Sequence, residues 1–119
     1  MRVKFKEREQ TEFISVHEVD LKGKKHIDLV KEARQKGEFD VPYHYVVYDT
    51  GTIENGRDDS AIGGRMFPSY DSAVFILVDL NGNDKMTDAQ SSALDVLIDQ
   101  LRERYPSIKG VFRIFKEAD

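Results

Sequence analysis

Cysteine and tryptophan are absent from this 119-residue chain, and proline occurs only three times. Without cysteine there is no disulfide and no thiolate ligand, so a metal would have to be held by histidine and carboxylate groups alone. No apolar run approaches the roughly 20 residues that a membrane-spanning helix needs, so no membrane span is expected. The first nine residues, Met1-Arg2-Val3-Lys4-Phe5-Lys6-Glu7-Arg8-Glu9, alternate charged with apolar residues and contain no apolar h-region. A secretory signal is therefore not expected, and the product is expected in the cytoplasm. Excess positive charge is missing too: the net charge is −4, the wrong sign for affinity built on phosphate neutralisation, which argues against nucleic acid as a direct partner. None of the HExxH, GxSxG, Walker or GxGxxG patterns occurs, so motif reading names no reaction.

What the chain does have is a soluble globular balance of 39% hydrophobic and 34% charged residues, in a length that suits one domain over residues 1–119. Glu12 to Val16 is a short aromatic and β-branched run, predicting a strand with His17 at its C-terminal end. From His26 to Lys36, Ile27, Val30 and Ala33 recur three apart, a one-faced helical pattern that Gly37 closes. Tyr43 to Tyr48 and Thr52 to Glu54 flank the turn Asp49-Thr50-Gly51 and read as a β-hairpin. Ala73 to Val78 is fully apolar and predicts a central strand buried on both faces. Thr87-Asp88-Ala89-Gln90 matches a capping box, and Leu94, Leu97, Ile98, Leu101 and Tyr105 follow at helical spacing until Pro106. Val111 to Phe115 suits a last strand. The predicted fold class is α/β, with a mixed central sheet of about four or five strands flanked by helices.

The chemically suggestive residues are His17, His26 and His44, with Glu18, Tyr43 and Asp71. A histidine at a strand end beside a carboxylate could ligate a metal, yet without a partner at defined spacing it reads first as a structural residue. His26, at a helix start, is expected on the surface. Arg2, Lys4, Lys6 and Arg8 are spaced by two and would share one face of a strand. That pattern reads either as an edge guarded by charge or as a docking strip for an acidic partner.

Arg2 to Glu9, Thr11, Ile14-Ser15-Val16-His17, Val41-Pro42-Tyr43-His44-Tyr45, Gly51 to Asp58 and the helix after Thr87 to Gln90 together resemble the zinc-dependent N-acetylmuramoyl-L-alanine amidases of phages, which share the peptidoglycan-recognition-protein fold. The resemblance spans nearly the whole chain. In that family two histidines and a cysteine hold the metal, while a tyrosine and a lysine polarise the scissile amide. His17 matches the first histidine and Tyr43 the tyrosine. Phe112 is the nearest match to the second histidine, the cysteine and lysine belong to a later segment of the relatives, and Gly64 to Asp71 departs from the family's loop. The chain is thus expected to be truncated at the C-terminus relative to the family, to bind no zinc and to be non-catalytic, with His17, Tyr43 and His44 as remnants. Were it active, it would be an N-acetylmuramoyl-L-alanine amidase. Rescue of the metal would need His17, Glu18 and His44, or Asp71, to converge, and adjacent strand residues point to opposite faces. Family members also bind the phage single-subunit RNA polymerase through a surface that includes the N-terminal segment. The resemblance therefore implies that polymerase, in the cytoplasm of the bacterial host, as a partner for Arg2, Lys4, Lys6 and Arg8, with peptidoglycan as the alternative.

Overall fold

The computed structural model describes residues 6–37, 41–65 and 67–114. Its elements run β1 (Phe13–Val19), α1 (His26–Gln35), β2 (Tyr45–Val47), β3 (Ile53–Asn55), β4 (Ala73–Asp79), α2 (Asp88–Arg104) and β5 (Gly110–Ile114). They form one five-stranded sheet in the order β3-β2-β4-β1-β5. Only β2 and β3, joined by the short hairpin, are antiparallel; the β2–β4, β4–β1 and β1–β5 pairs are parallel. The parallel pairs arise because each connection carries a helix or a long loop across a face. No helix among the described residues is long and apolar enough to cross a membrane.

β4 is the middle strand and divides the core. Val74, Ile76 and Val78 join Ile14, Val16 and Val47 beneath Leu94, Leu97, Ile98 and Leu101 of α2. Ala73 and Phe75 point the other way, joining Val41, Tyr43 and Val46, with Leu29 and Val30 of α1 packed against them. The alternation of a pleated strand therefore puts one helix on each face. The face of α1 differs from the one its threefold spacing predicts. Leu29, Val30 and Ala33 turn inward while Ile27 is 58% exposed, because each step of three falls short of a 3.6-residue turn and two such steps carry Ile27 away from the face that holds Leu29 and Ala33.

Both helices are capped as their sequences require. Asp28 accepts from the Lys25 amide at 2.9 Å and places its charge in the first turn of α1. Thr87 Oγ1 accepts from the Gln90 amide at 3.1 Å, and Gln90 Oε1 accepts from the Thr87 amide at 3.3 Å. Gln90 is fully buried, and its Nε2 donates to the Val47 carbonyl at 3.0 Å and the Asp79 carbonyl at 2.7 Å. One amide thus joins the start of α2 to the ends of β2 and β4. Gln90→Ala removes the donor from two carbonyls in the interior, and denaturant unfolding should show a loss of about 2–4 kcal/mol. A loss under about 0.5 kcal/mol would mean that the amide is not the tie.

His44 is the second polar tie, and it too is fully buried. Its Nδ1 accepts from the Phe75 amide at 2.9 Å, so the proton sits on Nε2, which donates to the Ala61 carbonyl at 2.8 Å. This tautomer follows from the hydrogen-bond network. The His44 amide donates in turn to the Phe75 carbonyl at 2.9 Å. The imidazole thus extends the β2–β4 ladder one step beyond the strand. Burial, with Arg8 and Arg57 nearby, lowers its pKa to about 4, against the opposing Ala61 hydrogen bond.

Since the unfolded value is near 6.5, the unfolded chain takes up the proton first as pH falls. The stabilisation from neutral His44 is complete above about pH 6.5 and is lost as pH falls toward 4. His44→Gln does not titrate, so the advantage of the native chain over that variant should shrink across this window in urea titrations at several pH values. A difference that stays constant from pH 7 to pH 4 would contradict the assignment.

Candidate functional site

The α1 face of the sheet carries the residues singled out as chemical. His17 lies inside β1, two residues before its end, with Leu77 of β4 and Ile114 of β5 as its lateral neighbours. Ser15 stands on the same face, and its Oγ is 2.9 Å from His17 Nε2. The His17 ring also meets the rings of Phe67, at 5.0 Å between centroids, and Phe75, at 6.1 Å. Burial in this setting lowers the His17 pKa. Phe112 stands opposite Ser15, one pleat away from the position facing His17, and its ring packs 5.1 Å from that of Phe13.

Phe67 reaches His17 through the loop after residue 62. A Cβ on Gly63 would lie 2.4 Å from the Phe75 ring, so only glycine lets the backbone pass this close. The loop then turns back, and Phe67 stacks on Phe75 at 4.5 Å. The segment that departs from the family pattern therefore supplies an aromatic lid over the floor beside His17.

Tyr43 is buried, with its hydroxyl 2.8 Å from His26 Nδ1. His26 is only partly exposed, and its amide donates to the Tyr48 hydroxyl at 2.7 Å. It is therefore not the free surface residue its place at a helix start suggests: it docks the first turn of α1 onto two tyrosines. Between α1 and the segment carrying Tyr43 lies a cavity of about 220 Å³, lined by Leu29, Val41, Pro42 and Leu77, with Glu32 and Lys36 also in its wall.

The other candidates are scattered. His44 has both ring nitrogens committed to Phe75 and Ala61. Glu18 alternates with His17 along β1 and belongs to the opposite face, and Asp71 is exposed in the loop before β4. Among the described residues no three His, Cys, Asp or Glu side chains form a group able to hold a metal ion. A catalytic zinc needs three protein donors and an open position. The residues around His17, a serine hydroxyl and otherwise carbon, do not fit it.

Half of the basic strip is described. Arg2 and Lys4 lie outside the described residues. Residues 6–10 form no regular strand, only a bridge between Glu7 and Ala61, so same-face alternation does not govern Lys6 and Arg8. Lys6 is exposed, whereas Arg8 turns inward. Its Nε donates to Thr11 Oγ1 at 3.0 Å and its Nη1 to the Ala61 carbonyl at 2.5 Å, and its guanidinium lies 5.3 Å from the centre of the Tyr105 ring. Burial lowers its pKa despite the attraction of Tyr105 and Asp59. Arg8 is a clamp between the N-terminal segment and the body of the fold.

Three features have no sequence signature. The Ser15–His17 pair shows only as a two-residue spacing within a strand, and Phe67 only as an aromatic after Gly63-Gly64. Asp59 gathers the Tyr45 hydroxyl at 2.6 Å, the Tyr105 hydroxyl at 2.8 Å and the Arg104 guanidinium, from positions up to 46 residues away. Burial and the Asp59 contact push the Tyr45 pKa well above its ordinary value.

This architecture has known counterparts, although no protein-family model matches the chain. The endolysin of Enterobacteria phage K11 is 32% identical over 115 residues, covering 88% of this chain and 76% of the relative. The endolysin of Escherichia phage T7 is 32% identical over 114 residues, covering 87% and 75%. Among solved structures, the N-acetylmuramoyl-L-alanine amidase LysC of Clostridium intestinale superposes with a TM-score of 0.77 at 24% identity, covering 87% of this chain and 70% of that one. The complex of peptidoglycan recognition proteins LCa and LCx with tracheal cytotoxin bound gives a TM-score of 0.75 at 12% identity, covering 96% and 75%. The structural matches establish the fold, and the sequence matches establish the kinship: the chain belongs to the endolysin family of T7-like phages and has the amidase and peptidoglycan-recognition-protein fold.

Proposed function

We propose that this chain is a non-catalytic member of the endolysin family that acts by binding, with the phage's own single-subunit RNA polymerase as its target. The observation that carries the first half is the company of His17: Ser15, Phe67, Phe75, Leu77 and Ile114 surround it. Zinc in an amidase acts by polarising the carbonyl and by bringing bound water to a pKa of about 7. Here one imidazole, already paired with a hydroxyl, stands where three donors are required. Tyr43 in the same way spends its hydroxyl on His26.

The polymerase as target follows from the family resemblance and draws on the exposed Lys6 together with Arg2 and Lys4. Arg8, clamped inward, contributes by fixing the segment instead of by contact. Binding that favours one conformation of the polymerase over another would hold it there and inhibit it, while the basic side chains would act mainly on association rate and register.

A second reading, binding of a cell-wall fragment, is favoured by the cavity of about 220 Å³ beside Tyr43 and by the related recognition-protein complex that carries tracheal cytotoxin. Protein purified without chelator should contain far less than one zinc per chain and should not lyse cell walls. Stoichiometric zinc together with lysis would make it a divergent amidase and end the proposal. In a transcription assay with the cognate polymerase the chain should inhibit, and replacing Arg2, Lys4 and Lys6 with glutamate should weaken inhibition at least tenfold with unchanged unfolding. Sedimentation with insoluble cell wall and no effect on transcription would select the second reading.

A further inference from the structure

The outer edge of β5 is the most exposed apolar feature of the sheet. β5 pairs with β1 on one side, and among the described residues no strand pairs with its other side. Such an edge presents unpaired amide and carbonyl groups at alternate positions, a template for one more strand. It is also unusually apolar on one face. Phe112 is 54% exposed and Ile114 46% exposed, both on the face that carries Ser15 and His17. They border a cavity of about 260 Å³ whose wall also includes Phe13, Ser15, Pro68 and Ser69.

The opposite face of the same strand is different. Val111 packs into the core beneath α2, and Arg113, the next residue on that face, is exposed. Among the described residues Lys24, Arg104 and Lys109 have carboxylate partners, and Arg113 has none. Among the described residues β5 therefore offers an added strand an apolar face, one exposed cation on the other face and an edge with no strand beside it.

The geometry points to an extended segment of a partner protein, alternating aliphatic and acidic residues, adding to β5 as a sixth strand. Its aliphatic side chains cover Phe112 and Ile114, one entering the cavity, while an acidic side chain on the other face pairs with Arg113. Main-chain bonds supply affinity in such additions, and alternate side-chain pockets supply specificity. A second copy of this chain fits less well: the antiparallel register that seats Phe112 on Ile114 sets Arg113 against Arg113, and like charges directly opposite are destabilising.

This inference deepens the protein-binding reading above and rests on it, but its test does not use the polymerase. A fluorescein-labelled peptide, Thr-Val-Asp-Ile-Glu-Val-Thr, would be titrated with the chain and followed by anisotropy, beside the same peptide carrying lysine for both acids. The net charge of −4 favours the lysine peptide at long range, so a preference for the acidic one reports a local cation. The acidic peptide should bind at least tenfold more tightly. Arg113→Glu should invert the preference, and Phe112→Asp should abolish binding with little effect on unfolding, since the ring is already half exposed. Amide exchange within β5 should slow on binding. No binding, a preference indifferent to Arg113→Glu, protection elsewhere than β5, or a dimer by sedimentation that Phe112→Asp dissolves would each overturn the inference. Failure here with transcription inhibition intact removes this docking edge alone, whereas zinc-dependent lysis would remove the reading on which it rests.

Discussion

The mutual pairing of His44 and Phe75 underlies most of what this fold can do. Each residue's amide is satisfied by the other, through the Phe75 carbonyl in one direction and the His44 imidazole in the other. That exchange brings the segment before β2 against the centre of β4. The Phe75 ring then becomes a platform: the His44 ring lies parallel to it, Phe67 stacks on it and His17 leans toward it. The Nε2 proton of His44 holds Ala61, and Ala61 holds Arg8. A buried neutral histidine thus couples the sheet, the loop over the floor and the N-terminal segment. A charged imidazole would set a second donor against the Phe75 amide, which is why the network depends on the neutral form.

The same arrangement accounts for how the floor beside His17 is held together. The platform around His17 is filled by carbon, and carbon packing stabilises a sheet face without any ion. The polar groups that remain are paired with one another, Ser15 with His17 and Tyr43 with His26. Both pairings lower the cost of keeping these groups in a partly dry floor. A fold of this kind needs only shape and satisfied hydrogen bonds to be stable, whereas hydrolysis would need a specific donor set as well.

Much of the fold was legible because its signals are local. The capping box at Thr87 and the apolar spacing through Leu101 mark α2, and the unbroken run from Ala73 marks a strand that must be covered on both sides. The hairpin is announced by its Asp-Thr-Gly turn. The face of α1 was less legible because ten residues with few apolar side chains leave the phase of the helix ambiguous. The spacing of Lys6 and Arg8 did not give a shared face for a related reason: alternation implies one only within a strand, and residues 6–10 pair with the rest of the described chain at a single bridge. That Ile114 and not Phe112 stands level with His17 was not legible either, since parallel register is set by the packing of whole strands and not by residue type.

By itself the sequence determined which segments are helix and strand, which strand is central, the absence of thiolate ligands and the kinship with the phage amidases. These follow from composition, periodicity and ordered motifs, all of which act within a few residues or along the whole chain at once. Only the tertiary structure decided that Arg8 turns inward to a carbonyl 53 positions away, that Tyr43 spends its hydroxyl on His26, that Phe67 reaches the side of His17 and that Arg113 is exposed on the edge strand. Those outcomes depend on which distant groups the packed core brings within hydrogen-bonding or van der Waals reach, and that is a property of the register and crossing of elements that no local pattern encodes.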